Sequence, residues 1–244
     1  MLDAKGENGA NKAAVLRPLA TAARPLTVAT VGLAWRALVD AIGDELKRRE
    51  RLWALEASPG RRPLFVLPDD AFVVGVGPDR ASLEGNPRLD ERVVSDLSDF
   101  RPWAAGFDLV TCWYALEHGQ NPERALDRLA AWTAPDGLIV LAGAHRSSLR
   151  AAWARLRKRA RSDRTLSPAA LRSRFAAAGF SSVLEVFYED ARQLETRRRV
   201  GLTHSAWKVA RAVVWILTLG RLDAARTDYI LVVRRDRAIL PVLA

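Results

Sequence analysis

Residues 107–142 read FDLVTCWYALEHGQNPERALDRLAAWTAPDGLIVLA, and the fold turns on how this stretch is read. It contains two continuous apolar runs, Phe107–Cys112 and Leu138–Ala142, on either side of a segment with helical spacing. A run that is apolar at every position suits a strand buried on both faces, the situation inside a parallel sheet. Between the runs, Pro122 fits a first helical turn, and Ala125, Leu129 and Trp132 share one face, predicting a helix over Pro122–Thr133. Ala134-Pro135-Asp136-Gly137 predicts the turn that ends it. Strand, helix and strand make one βαβ unit.

The same rhythm extends both ways. Upstream, strands are predicted at Leu52–Glu56, Phe72–Val76 and Arg92–Ser95. Downstream, Ser167-Pro168 caps a helix over Ala169–Ala178 that stops at Gly179, and strands follow at Ser182–Tyr188 and Asp228–Arg234. These last two strands suggest an edge hairpin closing the sheet. Helices are also expected from about Ala20 to Arg51, over Arg146–Arg164 and over Thr203–Leu219. The expected organisation is a tail and helix at 1–50, a main domain at 51–236 with a basic helical insertion at 146–166, and a tail at 237–244.

Composition narrows the class. The chain has 244 residues, 49% of them hydrophobic, which suits one sizeable α/β domain. The lone cysteine, Cys112, excludes an internal disulfide framework and points either to a reducing compartment or to indifference to redox state, and a cytoplasmic setting is expected. Three scattered histidines and one cysteine offer no metal-ligand spacing, so no metal is expected. A formal charge of +10 favours acidic partners, although the Arg/Ala bias also has the look of a high-GC bacterial protein. The apolar stretches Leu26–Trp35 and Val209–Leu219 fall short of the ~20 residues needed to cross a bilayer.

Five segments in this order resemble the small class I S-adenosylmethionine-dependent methyltransferases of the type 11 kind. They are Phe72–Asp79 (FVVGVGPD), Asn86–Asp96 (NPRLDERVVSD), Phe107–His118, Asn121–Leu129 (NPERALDRL) and Ala134–Leu141 (APDGLIVL). The resemblance implies a Rossmann-like, doubly wound, mostly parallel sheet of seven strands with helices on both faces, the N-terminal helix being an addition. It also implies S-adenosylmethionine as cofactor, lying across the carboxyl ends of the first strands. A doubly wound sheet places its ligand there on general grounds, at the topological switch point.

The resemblance carries over residue by residue with two departures. Glu56, in LEASPG, stands where the family has the acid that helps hold the amino end of the cofactor, and Gly60 stands at its middle glycine. Ser58 replaces the first glycine and Arg62 the third, so the glycine-rich motif is degenerate. Gly77 occupies the place of the acid that pairs with the ribose hydroxyls. Asp79, two residues on, either takes that role through a shifted loop or caps the next turn. Asp96 matches the residue that receives the adenine amino group, with Leu97 as an apolar wall beside it. Cys112 follows as a small buried group whose backbone faces the methionine portion of the cofactor. His118, in the family's Glu-His pair, is the candidate general base, or else it orders its own turn; His145 is a weaker second.

The expected activity is methyl transfer to a small-molecule acceptor, with O-methylation favoured. The competing expectation is a methyltransferase fold whose cofactor site has decayed, acting as a binding or scaffold module. The basic helix 146–164 reads as a landing site for an anionic substrate or membrane surface, or as a solvated face. Only Trp153 interleaves with its arginines, so nucleic acid is not favoured. Helix 206–219 either covers the sheet, forms a homodimer contact or lies at a membrane interface.

Overall fold

The computed structural model describes residues 29–47, 49–61, 63, 65–102, 106–117, 121–145, 166–189, 209, 212–213, 216–217 and 228–237. The basic stretch 146–164, His118, Arg62 and most of 206–219 lie outside the described residues.

The strands are β1 (Ala29–Thr30), β2 (Trp53–Ala57), β3 (Phe72–Gly77), β4 (Glu91–Val94), β5 (Phe107–Trp113), β6 (Thr133–Ala144), β7 (Phe180–Glu189) and β8 (Asp228–Arg235). The helices are α1 (Val31–Lys47), α2 (Arg80–Glu84), α3 (Pro122–Trp132) and, as α4, Pro168–Ala177. One sheet holds every strand, in the order β1-β7-β8-β6-β5-β2-β3-β4. Seven full strands therefore make a doubly wound sheet, to which the two-residue β1 adds a short edge. All pairings are parallel except the two made by β8, with β6 and with β7.

Two layers of core cover the sheet, as its continuous apolar strands require. On one face Leu129 and Trp132 of α3 and Leu171 and Phe175 of α4 pack against Leu55, Val110, Ile139 and Leu231. On the other, Ala34, Leu38 and Ile42 of α1 pack against Ala54, Leu109, Val140 and Ile230. The spacing of the three α1 residues, four apart, is one helical stripe. Arg49, just beyond α1, ties this helix to the amino end of the sheet by hydrogen bonds to Asp108 Oδ1 (2.8 Å) and the Asp136 carbonyl (3.0 Å).

Two expectations are corrected and one holds. The N-terminal helix does not run continuously from Ala20, because Ala29 and Thr30 pair with Tyr188 and Glu189 of β7 and the helix starts only at Val31. The last two strands do form the expected antiparallel pair closing that end of the sheet, with only the two-residue β1 beyond β7 and with β6 on the inner side of β8. Its apolar run Tyr229–Val233, buried throughout, demands a neighbour on each side. The turn at Ala134–Gly137 lies within β6, not before it. There Phe107 pairs with Thr133 and Leu109 with Leu138, so the β6 side carries extra residues as a bulge, with Asp136 at φ 59°.

Gly137 closes that bulge against backbone, since a Cβ there would lie 2.8 Å from the Ala134 carbonyl oxygen and 2.9 Å from that of Phe107. Gly137→Ala is expected to cost about 1–3 kcal/mol, as overpacking against unyielding atoms does. Urea denaturation would show this as a lower midpoint with an unchanged slope. A wild-type midpoint would contradict the tight bulge.

Candidate functional site

The chain leaves β2 toward β3 and β4 on one side, then returns to β5 on the other, so the strand order reverses between β2 and β5. These two strands pair in parallel from Ala54↔Leu109 to Ala57↔Cys112. The loop after β2 passes to the α1 face, where Phe65, Leu67 and Ala71 are buried. The segment after β5 passes to the opposite face as α3. Chains departing to opposite faces leave a crevice at the carboxyl ends of the two strands, which is where such sheets hold ligands. No helix occurs among the described residues of 58–71.

Glu56 lies at the end of β2 and is buried, 3% exposed. Asn86 Nδ2 reaches it with a long hydrogen bond (3.5 Å to Oε2) and also donates to the Gly60 carbonyl (3.1 Å). Asn86 is itself fully buried and accepts at Oδ1 from the Arg88 N–H. It thus joins the acid to the glycine turn, a role the sequence reading missed. Its signal was an asparagine between Gly85 and Pro87, ordinarily a turn residue. Gly60 is exposed, and a Cβ built on it meets nothing within 4 Å, so the backbone there is open to a ligand.

Ser58 is half-buried, and its backbone is left-handed (φ 55°), the conformation for which a glycine would ordinarily be chosen. Gly77 ends β3 directly beside it. Asp79 caps α2, accepting from the Ala81 N–H (3.1 Å) at Oδ1 and from the Ser82 hydroxyl at Oδ2. The Ser82 hydrogen bond, foremost, holds its carboxyl below the usual range. Asp96, half-buried just beyond β4, accepts from the Ser98 N–H (2.8 Å). Leu97 beside it is buried against the α3 face of the core.

On the other side of the crevice, Cys112 is 1% exposed, and burial pushes its thiol up to about 12. It is a core group, not a nucleophile. Tyr114, immediately after β5, has φ 56° and sends its hydroxyl over β6 to Asp228 Oδ1 (2.8 Å), with the Tyr188 hydroxyl 2.9 Å away. Burial, reinforced by the Asp228 charge, holds the Tyr114 phenol protonated well above its ordinary range. Glu117 accepts from the Ala144 N–H, tying the turn after β5 to the end of β6. His145 stands at that end with its ring edge-on to Phe187 at 5.1 Å. Tyr114, Tyr188 and Asp228 form a second polar cluster at the carboxyl edge, assembled from residues far apart in the chain.

Cys112 yields a direct check. The folded thiol keeps its proton to about pH 12, whereas the unfolded thiol loses it near 9.0, so its contribution to stability is full below 9.0 and is lost as pH rises to about 12. The native protein is expected to resist iodoacetamide at about pH 8.5 and to take up one label once unfolded. Mass spectrometry showing rapid native labelling would place the thiol outside the core.

Comparison with known proteins agrees with this geometry. The family model described as a methyltransferase domain matches residues 31–185. No curated protein matches the sequence. Among solved structures, the [4+2]-cyclase SpnF is similar at 13% identity and TM-score 0.54, over 86% of this chain and 85% of that one. A SAM-dependent methyltransferase from Archaeoglobus fulgidus is similar at 16% identity and TM-score 0.53, over 82% and 94%. The N-methyltransferase NodS from Bradyrhizobium japonicum WM9, in complex with S-adenosyl-L-homocysteine, is similar at 12% identity and TM-score 0.51, over 82% and 86%. At these identities the structures establish a shared fold, and one that also serves a cyclase. With the family match covering more than half of its length, the chain belongs to the class I S-adenosylmethionine-dependent methyltransferases.

Proposed function

We propose that this protein transfers a methyl group from S-adenosylmethionine to a small-molecule acceptor, with oxygen the favoured acceptor atom. The observation that carries the reading is the placement of Glu56, Gly60 and Asp96 along one carboxyl edge of the sheet, after β2 and β4 with β3 between them, next to the crevice where β2 meets β5. The site suits the cofactor chemically: it offers a carboxylate, open backbone at Gly60 and a second carboxylate flanked by apolar Leu97.

In this reading Glu56 helps hold the amino end of the cofactor and Asp96 receives the adenine amino group. When bound, the cofactor supplies a methyl group already activated on a sulfonium. The protein's work is then alignment and exclusion of water, and proximity of this kind is worth up to ~7–11 kcal/mol. His118 is the group proposed to take the proton of an acceptor hydroxyl. The cap over the acceptor is assigned to 146–166, on a catalytic domain spanning 51–236.

A decayed scaffold is the competing reading, and Ser58 and Gly77 are the residues that favour it. Calorimetric titration with S-adenosylmethionine and its demethylated product decides between them. Micromolar binding is expected, weakened about tenfold or more by Asp96→Ala in a protein still folded by circular dichroism. No heat up to millimolar ligand would favour the scaffold.

A membrane-peripheral setting is also proposed. Among the described residues no helix is long and apolar enough to cross a membrane. Val209, Val213, Ile216 and Leu217 are nevertheless exposed, and their spacing puts them on one helical stripe. On a chain of charge +10, such a stripe suits an anionic lipid surface. Co-sedimentation with phosphatidylserine vesicles is expected, and to fall with added salt; equal recovery with and without vesicles would remove the proposal.

A further inference from the structure

Ser58 and Gly77, the two departures from the family pattern, form one structural unit. The Ser58 N–H donates to the Val76 carbonyl at 2.6 Å, continuing the β2–β3 ladder past its last pair, Ala57↔Val76. A Cβ built on Gly77 would lie 3.3 Å from Ser58 Cα and 3.6 Å from its Oγ. A side chain at 77 would therefore press on the Ser58 backbone, while the Ser58 hydroxyl borders the space where that side chain would begin.

A doubly wound sheet ordinarily meets the ribose of a bound nucleoside with an acid about 20 residues past the glycine turn, at the end of the second strand. Gly77 has no side chain to offer there, and Asp79 is turned to the start of α2, its Oδ1 accepting from the Ala81 N–H and its Oδ2 from the Ser82 hydroxyl. Ser58 remains: half-buried, in a left-handed conformation uncommon for a residue with a side chain, and with its Oγ in no hydrogen bond among the described residues. Backbone outliers of this kind concentrate where ligands are held.

We propose that the Ser58 hydroxyl is the hydrogen-bonding group for the ribose hydroxyls of the cofactor, and that glycine at 77 is what makes room for it. The proposal rests on the cofactor-site reading above. It turns two apparent losses into one exchange, a neutral hydroxyl on the first strand end replacing a carboxylate on the second. A hydroxyl donates as well as accepts, so it suits a ribose oxygen in either sense.

The test is calorimetry on the full chain with S-adenosyl-L-homocysteine and with its analogue lacking both ribose hydroxyls. Ser58→Ala is expected to weaken the parent ligand about tenfold and to leave the dideoxy analogue nearly unchanged. Ser58→Gly should weaken the parent ligand similarly while raising the melting temperature, because it relieves the left-handed serine. A purely structural serine would not separate affinity from stability in this way. Gly77→Asp alone should weaken the parent ligand rather than restore a family-like site. Equal loss for both ligands in Ser58→Ala, or wild-type affinity, overturns the proposal and leaves the cofactor reading standing. No binding of either ligand by folded wild-type protein overturns both.

Discussion

The parallel ladder between β2 and β5 is the constraint on which the rest depends. Both strands are central, so Leu55, Leu109 and Val110 are wholly buried and need helices or loops on each face. Parallel pairing forces each strand to be followed by a long connection, and the two connections leave toward opposite faces. The crevice at their carboxyl ends is the consequence of that geometry, independent of which side chains line it. Glu56, Ser58 and Cys112 stand at it because they end these strands.

The residues beside the crevice divide into groups that build it and groups left facing it. Asn86, Asp79 and Glu117 spend their polar atoms on backbone and neighbouring side chains, shaping the glycine turn, the start of α2 and the turn after β5. Cys112 and Leu97 belong to the core. Gly60 is exposed, and the Ser58 hydroxyl lies beside Gly77. This division explains how a motif short of glycines retains an open approach: left-handed geometry at Ser58 is kept by the β3 ladder, and Gly77 gives up its side chain to permit it.

The far side of the sheet is organised by β8. Inserted between β6 and β7, it brings Asp228 to the carboxyl edge at 2% exposure, where the Tyr114 hydroxyl donates to it. A buried carboxylate met by a phenol holds the chain after β5 in its left-handed bend, linking the β5 side of the crevice to strands formed a hundred residues later. A charge-assisted hydrogen bond in such a setting is stronger than a neutral one.

The parallel sheet, its seven full strands and the family motif were legible in the sequence alone, whereas β1 was not. Their signals are local: apolar runs such as Leu138–Ala142, Pro122 at a helix start and Gly179 at a helix end, where φ is 81°. The sequence also identified Ser58 and Gly77 as departures, each at the end of a strand. Their contact emerges only on folding, because β2 and β3 meet through a register that neither segment encodes alone. The same holds for Asn86 against Glu56, for the insertion of β8, and for Tyr114 against Asp228. Each of these is a contact between segments far apart in the chain, chosen by packing and by the need to satisfy buried polar groups, which no local pattern records.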